Sequence, residues 1–393
     1  MKNVKSKMNN STLKVAIVHD WMIGGGAEKV VLELHRMFPE APIYTSYCTD
    51  EWRKKLDGKA VTGYLQNWPF PALRKYVPFL RGWWFSRLNL NDYDLVISSS
   101  GAEAKFIKVG RTNYQLQTTN YKRNVKRPLH ISYIHAPTHY YWSRYDEYLR
   151  HPGFGFFDPL ARLGLRVLVG PMRRWDFRAA KRPDYLIANS SYTKNQIKKY
   201  YGRDATVIHP PVDIKRFSKL PTNNYQLPQN RNGFVITGRQ TPYKRFDLAI
   251  AACTKLNLPL TVTGNGPDHK KLQRLAGPSV KFVQATDKEL ASYFATAEAF
   301  IFPSLDDFGI VAVEALASGT PVIAYKDGGA LDYIVPGKTG EYFKDQTVES
   351  LVKALRTFTP NKFKQEVLQE KARQFGPNIF REKVSRFIND NII

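Results

Sequence analysis

Two acidic residues, Asp306 and Glu314, stand eight positions apart where the pattern passes from an apolar strand through a short loop into an apolar-periodic helix. Residues 299–302 form the strand-like run, 306–309 the loop, and 310–317 a helix stopped by Gly319. One carboxylate then lies at the mouth of the loop and the other two turns inside the helix, so the pair can grip two parts of one ligand. The backbone N–H groups of Phe308, Gly309 and Ile310 open that helix, where unpaired donors favour an electron-rich group.

A second constellation lies upstream. Gly238-Arg239-Gln240-Thr241-Pro242-Tyr243-Lys244 follows a strand-like run at 234–238 and leads into a helix predicted over 246–256. Two cations five residues apart, Arg239 and Lys244, can clamp a pyrophosphate whose negative charge grows as it departs. Such a clamp needs no metal, and no acidic pair is placed for Mg²⁺, so no metal or other cofactor is expected. Gly264 and Gly266, in Gly264-Asn265-Gly266-Pro267, end the next strand at the same sheet edge, where an ordinary tight turn is an even competitor to a ligand-binding role. Val283-Gln284-Ala285-Thr286 is expected beside the ligand as well.

The first half has its own glycine turn. His19-Asp20-Trp21-Met22 ends the first strand and runs through Gly24, Gly25 and Gly26 into a helix, whose N-terminus offers donors to a phosphate or a sugar hydroxyl. The spacing differs from the dinucleotide-binding G-x-G-x-x-G pattern, which argues against a dehydrogenase. His135 ends an apolar strand, at the carboxyl edge where open α/β sheets bind ligands.

These residues need a scaffold that brings strand ends together. Apolar runs at 13–19, 42–47, 93–98, 131–135, 185–188 and 206–209 alternate with helical patterns such as 27–38, which predicts a parallel sheet covered by helices. A Pro-Asn-Gln-rich passage, 220–232, reads as a linker. Strand signals then restart at 234–238, 260–264, 280–283, 299–302 and 321–324, giving a second doubly wound domain. The expected organisation is a first domain over 1–215, a second over 216–376, and a final helix over 377–393.

Composition narrows the partners. The chain of 393 residues carries a net charge of +25, and residues 1–210 hold 34 basic against 16 acidic side chains, a net of +18. Such asymmetry predicts a polyanionic or anionic-membrane partner for the first half. The stretch 68–85 interleaves Trp68, Trp83 and Trp84 with Arg74 and Lys75 and contains no acid, a mixture that suits a lipid headgroup region. Core packing of those aromatics is the competing reading. No nucleic-acid motif accompanies the basic stretches, so nucleic acid is not the expected partner. Cys48 and Cys253 are expected as buried free thiols. No run of apolar residues is long enough to span a bilayer and no signal peptide is evident, so a cytoplasmic chain, peripheral on the inner face of the plasma membrane, is expected.

Together these motifs resemble the retaining glycosyltransferases of the GT-B fold, specifically the large family 4, whose two facing Rossmann-like domains flank an interdomain cleft. The resemblance covers nearly the whole chain. It implies that Glu314 binds the nucleotide ribose, that Asp306 lies beside the transferred sugar, and that Arg239 and Lys244 are the phosphate-binding pair. The family has Glu where this chain has Asp306, one methylene shorter. Gly264-x-Gly266-Pro267 resembles the family's turn near the nucleotide, and the Gly25-Gly26-Ala27-Glu28 loop its donor side. Residues 133–142 resemble a segment of O-antigen-type mannosyltransferases in which the residue matching His135 contacts the sugar. The last helix is implied to cross back onto the first domain.

The resemblance implies transfer of a hexose, with GDP-mannose as the first-guess donor and a lipid-linked or glycan acceptor in cell-surface polysaccharide synthesis. It also implies front-face substitution, without an enzyme nucleophile. A UDP-sugar donor, a GT-B nucleotide-sugar epimerase or hydrolase, and a weakened nucleotide-sugar-binding or nucleic-acid-binding protein are the alternatives the residues leave open.

Overall fold

Strands buried on both faces read as continuous apolar runs, and the runs of this chain do form parallel sheets covered by helices. The computed structural model describes residues 13–73, 78–110, 127–153, 155–218 and 231–392. The chain forms two compact units, Met1–Asn189 with Thr193–Ile208 and Val384–Ile393, and Ser190–Tyr192 with His209–Lys383.

In the first unit β1 (Val15–His19), β2 (Ile43–Thr45), β3 (Ala60–Val61), β4 (Leu95–Ser100), β5 (Leu129–Ile134), β6 (Tyr185–Ala188) and β7 (Thr206–Val207) lie in the order β3-β2-β1-β4-β5-β6-β7. All pair in parallel, with Val15 to His19 in register with Leu95 to Ser99. The order reverses between β1 and β4, which makes their carboxyl ends the topological switch point where open sheets take ligands.

The second unit repeats the plan. Its strands β8 (Phe234–Thr237), β9 (Leu260–Thr263), β10 (Val280–Val283), β11 (Ala299–Phe302), β12 (Val322–Tyr325) and β13 (Gly340–Phe343) lie in the order β10-β9-β8-β11-β12-β13, again all parallel. Here the switch point falls between β8 and β11. The loops that leave those two strands carry Arg239 and Lys244 on one side and Asp306 on the other. One core cluster packs Phe300, Phe302 and Phe308 against the Ile310–Ala317 helix; another packs β8 and β9 against the Phe246–Leu256 helix.

The chain leaves the first unit at Ile208, ahead of the boundary expected at 215, because the turn beyond it is tied into the second unit. His209 hydrogen-bonds Asp332 at 2.9 Å and the Val212 N–H donates to the Phe375 carbonyl. The final helix, Pro377–Ile392, contributes Val384–Ile393 to the first unit, where Phe387 meets the Tyr185 ring edge-on. Residues 220–230 of the expected linker lie outside the described residues.

Cys48 and Cys253 are free and buried, and burial pushes the Cys253 thiol up to about 12. Strands β3 and β13 and the long Asp158–Ala180 helix are among the elements that were not foreseen. Gly164, Gly170 and Pro171 break the helical signature of that last segment.

Candidate active site

At the second switch point the two loops meet through one ion pair. The Lys244 ammonium bonds Oδ2 of Asp306, with side chains only 20% and 11% exposed. The other carboxylate oxygen, Oδ1, is buried and makes no hydrogen bond. A buried acceptor without a donor is uncommon in folded proteins, and a hydroxyl-bearing ligand is one way to satisfy it. Arg239 is exposed on the same loop, and its guanidinium has no partner among the described residues. The site thus offers a free cation, a half-buried cation and an acceptor oxygen on adjoining loops.

Asp306 is fixed from two sides. The Gly329 N–H donates to its carbonyl at 2.8 Å, and a Cβ on Gly328 would come within 2.5 Å of that same oxygen. Farther along the loop Gly309 adopts φ +85°, and a Cβ there would stand 2.5 Å from the Phe302 ring and 2.7 Å from the Tyr333 hydroxyl. Tyr333, whose phenol burial holds well above its usual range, donates to the Phe308 carbonyl at 2.8 Å. Phe308 itself is buried against Tyr333, His209 and Phe375. Its side chain therefore serves the core, while the N–H groups of Phe308, Gly309 and Ile310 have no acceptor among the described residues. Glu314 is buried in the second turn of the Ile310–Ala317 helix.

Behind Phe308, His209 and the Ser191 N–H both donate to Asp332. Burial alone would raise the Asp332 carboxyl, yet those hydrogen bonds bring it below its usual range. The loop rests on a charged support as well as an aromatic one.

Gly264 and Gly266 have a packing reason for being glycine. Gly264 sits at φ +89°, and a Cβ on it would lie 2.2 Å from the Gly238 carbonyl oxygen; a Cβ on Gly266 would lie 2.3 Å from that of Gln240. The loops after β8 and β9 therefore touch backbone to backbone. Gln240, fully buried, staples them: its amide donates to the Gly264 carbonyl at 2.9 Å, its side-chain oxygen pairs with His269 at 2.7 Å, and its N–H donates to Asn265. Sequence reasoning passed over Gln240, although a polar residue between two loop cations is the one signal that marked it. The same staple holds the backbone of Arg239, its neighbour.

In the first unit the switch point gathers His19, Ser99 and His135. His19 Nδ1 lies 2.8 Å from the Ser99 carbonyl, and His135 Nε2 lies 2.7 Å from the Ser99 hydroxyl. The two imidazoles meet edge-on, 6.2 Å apart. His135 stands one residue past β5 and is half-buried, whereas His19 is buried; nothing in its spacing had distinguished His19 or Ser99. Asp20 is a structural cap, accepting from the N–H groups of Gly101, Ala102 and Ala104 at 2.6 to 2.9 Å.

The glycine turn before the Gly26–Met37 helix carries its own anion. Buried Glu28 accepts from the Ile23 and Gly24 N–H groups at 3.4 and 3.1 Å, and its carboxylate lies against Gly25. A carboxylate in that position repels a phosphate and welcomes a hydroxyl donor, so Gly25 and Gly26 border a place suited to a sugar hydroxyl.

The aromatic stretch at 68–85 divides. Trp68 and Trp83 are exposed, the latter with Arg87 stacked over its ring at 3.8 Å. Trp84 and Phe85 belong to the first-unit core, and Arg81 is buried in an ion pair with Glu103 at 2.7 Å. Arg74 and Lys75 lie outside the described residues. Among the described residues no helix is long and apolar enough to cross a membrane, and no group of three or more His, Cys, Asp or Glu side chains is placed to hold a metal ion.

Comparison with known proteins identifies the family. Residues 24–216 match the family described as Glycosyltransferase Family 4, and residues 222–375 match Glycosyl transferases group 1. A D-inositol 3-phosphate glycosyltransferase of Catenulispora acidiphila is 30% identical over 186 residues, 40% of this chain and 43% of that protein. A GDP-mannose-dependent alpha-(1-6)-phosphatidylinositol monomannoside mannosyltransferase of Mycolicibacterium smegmatis is 28% identical over 223 residues, 50% of this chain and 56% of that one. The chain thus spans about half the length of the curated relatives it matches. Among solved structures, that of Anabaena HepE in complex with UDP is 16% identical, covers 96% of this chain and 100% of its own, and has a TM-score of 0.68. Sucrose-phosphate synthase of Thermosynechococcus elongatus, also 16% identical, covers 96% and 98% with a TM-score of 0.64. With two parallel-sheet Rossmann-like units and both family matches, the chain belongs to the GT-B glycosyltransferases of the family 4 type.

Proposed function

We propose that this chain is a retaining, metal-independent hexosyltransferase that moves mannose from GDP-mannose to a lipid-linked acceptor at the inner face of the plasma membrane, in cell-surface polysaccharide synthesis. The observation that carries the reading is the Lys244–Asp306 pair, which joins a cation loop to an acid with one unsatisfied oxygen at a sheet switch point. The similarity to a GDP-mannose-dependent enzyme that acts on a phosphatidylinositol mannoside supports the choice of donor and acceptor class.

In this reading Arg239 and Lys244 hold the diphosphate, and their charge counts most when the bond from the anomeric carbon to the phosphate oxygen breaks. Asp306 Oδ1 accepts a hydroxyl of the sugar, and Glu314 binds the ribose. The Phe308–Ile310 amides position the sugar, and in the first unit His135, oriented by Ser99, is the candidate to meet a sugar hydroxyl. Gly25 and Gly26 admit a hydroxyl beside Glu28. The acceptor oxygen bonds the anomeric carbon on the face that the phosphate leaves, and the departing phosphate takes the acceptor proton, so mannoside and GDP are the only products.

The test is incubation of the full chain with labelled GDP-mannose and a lipid-linked acceptor, with the anomeric configuration of the product read by NMR. An α-mannoside formed without added metal supports the reading. An inverted product, or label released only as free mannose, contradicts it.

A further inference from the structure

One helix turns toward solvent the stripe that periodicity would assign to a core. In the Asp158–Ala180 helix, Leu160, Leu163, Val167 and Leu168 recur at the spacing of a single face. They are 67, 58, 65 and 54% exposed, and Phe156 and Phe157, on the turn leading in, are 93 and 62% exposed. Single exposed leucines are ordinary on protein surfaces. Six large apolar side chains on one helix and its lead-in make a patch of the kind that marks a docking surface.

The helix is not loosely held. Asp176 is buried in an ion pair with Lys105 at 2.8 Å and accepts from Trp142 and Tyr201, each at 2.7 Å. Trp175 stacks on Phe106, and Arg173 donates to the Tyr141 carbonyl. One face is thus committed to the first unit, and the opposite face stays apolar and open.

Charge selects the occupant. Arg166 and Arg174 are exposed along the stripe. Of the two acids on the helix, Asp158 lies 3.8 Å from Arg162 and Asp176 is buried. A second copy of this chain would bring like charges together, whereas an anionic bilayer offers both the apolar layer and the counter-charge. Leu and Phe on one face, Arg beside them and no free acid is the composition that lies in a headgroup boundary.

We infer that the face formed by residues 156–168 docks this chain on an anionic lipid bilayer. The inference rests on the lipid-linked acceptor reading for its purpose and on exposure and charge for its place. Its test is flotation of the full chain with phosphatidylcholine vesicles, with and without phosphatidylglycerol, in the absence of donor and acceptor. The native chain floats with the anionic vesicles and far less with the neutral ones. Leu163→Asp/Val167→Asp loses affinity by about tenfold or more, since binding scales with the apolar area inserted, and its thermal melting is unchanged. If that variant fails to fold, Leu163→Ser/Val167→Ser gives the same readout.

Flotation equal to the native chain in a folded double variant would overturn the inference. So would a native chain that ignores vesicles and sediments as a dimer broken by the same substitutions, which would give the face to a second copy. Donor binding by the double variant stays as in the native chain, so failure of docking and failure of the transferase reading are told apart.

Discussion

Lys244 and Asp306 meet across the switch point of the second sheet, the ammonium bonded to Oδ2 while Oδ1 of the same carboxylate is buried without a donor. In the proposed site Lys244 has two tasks, neutralising Asp306 and facing the donor phosphate, and Arg239 only the second. Lys244→Met is expected to lose transfer activity and also about 1–3 kcal/mol of stability, because it leaves Asp306 unpaired. Arg239→Ala is expected to lose activity with its urea midpoint unchanged. Equal stability in the two variants would show that the ion pair contributes nothing to the fold.

Asp306 is one methylene shorter than the glutamate that the family resemblance implies there, and both its backbone carbonyl and one carboxylate oxygen are held by neighbours. Gly328 and Gly329 lie against its backbone, and Lys244 meets its carboxylate directly. Asp306→Glu is expected to lower kcat by about tenfold or more, since a displacement of about an ångström at a positioned group is enough to do so. A variant more active than the native chain would mean that the aspartate attenuates the enzyme.

Gly264 at φ +89° tests the staple between the loops after β8 and β9. Gly264→Ala sets a Cβ against the Gly238 carbonyl, at a cost of about 1–3 kcal/mol for the strained conformation. The displaced loop is the one that carries Arg239, so donor affinity falls with the melting temperature. Weakened stability with unaltered donor affinity would confine Gly264 to folding.

His130 gives the chain a pH dependence of its own. It is fully buried on β5 with Nε2 bonded to Ser98, and burial lowers its pKa to about 3 from the ordinary 6.5. Between those values the unfolded chain holds a proton that the folded chain refuses. Stability from this residue is thus present above about pH 6.5 and is lost as pH falls toward 3, by up to about 1.4 kcal/mol per unit. Urea midpoints between about pH 7 and pH 5 should fall less steeply in His130→Asn than in the native chain; parallel profiles would remove His130 as the cause.

The fold was legible because apolar strand runs, helix stops and glycine turns agree with one another along both halves. The positions of Arg239, Lys244 and Asp306 were legible for a related reason: each sits where a strand gives way to a helix, and Glu314 lies in the second turn of the helix that follows Asp306. Gln240, His19 and Ser99 were not, because their roles come from contacts between loops distant in sequence. Composition could not divide the aromatic stretch either, since burial sends Arg81 and Phe85 inward and Trp68 and Trp83 outward. The Asp158–Ala180 helix escaped notice because its apolar stripe is broken by glycine and proline and faces away from any core.

A nucleotide-sugar site built on the Arg239–Lys244 loop is tested by donor-induced stabilisation across a panel that includes GDP-mannose, UDP-glucose and the free nucleotides. GDP-mannose at about 100 times its dissociation constant is expected to stabilise the native chain by about 2.7 kcal/mol. Arg239→Ala should lose most of that shift while folding normally. Stabilisation by no member of the panel, or an undiminished shift in Arg239→Ala, would rule out a nucleotide-sugar site on this loop.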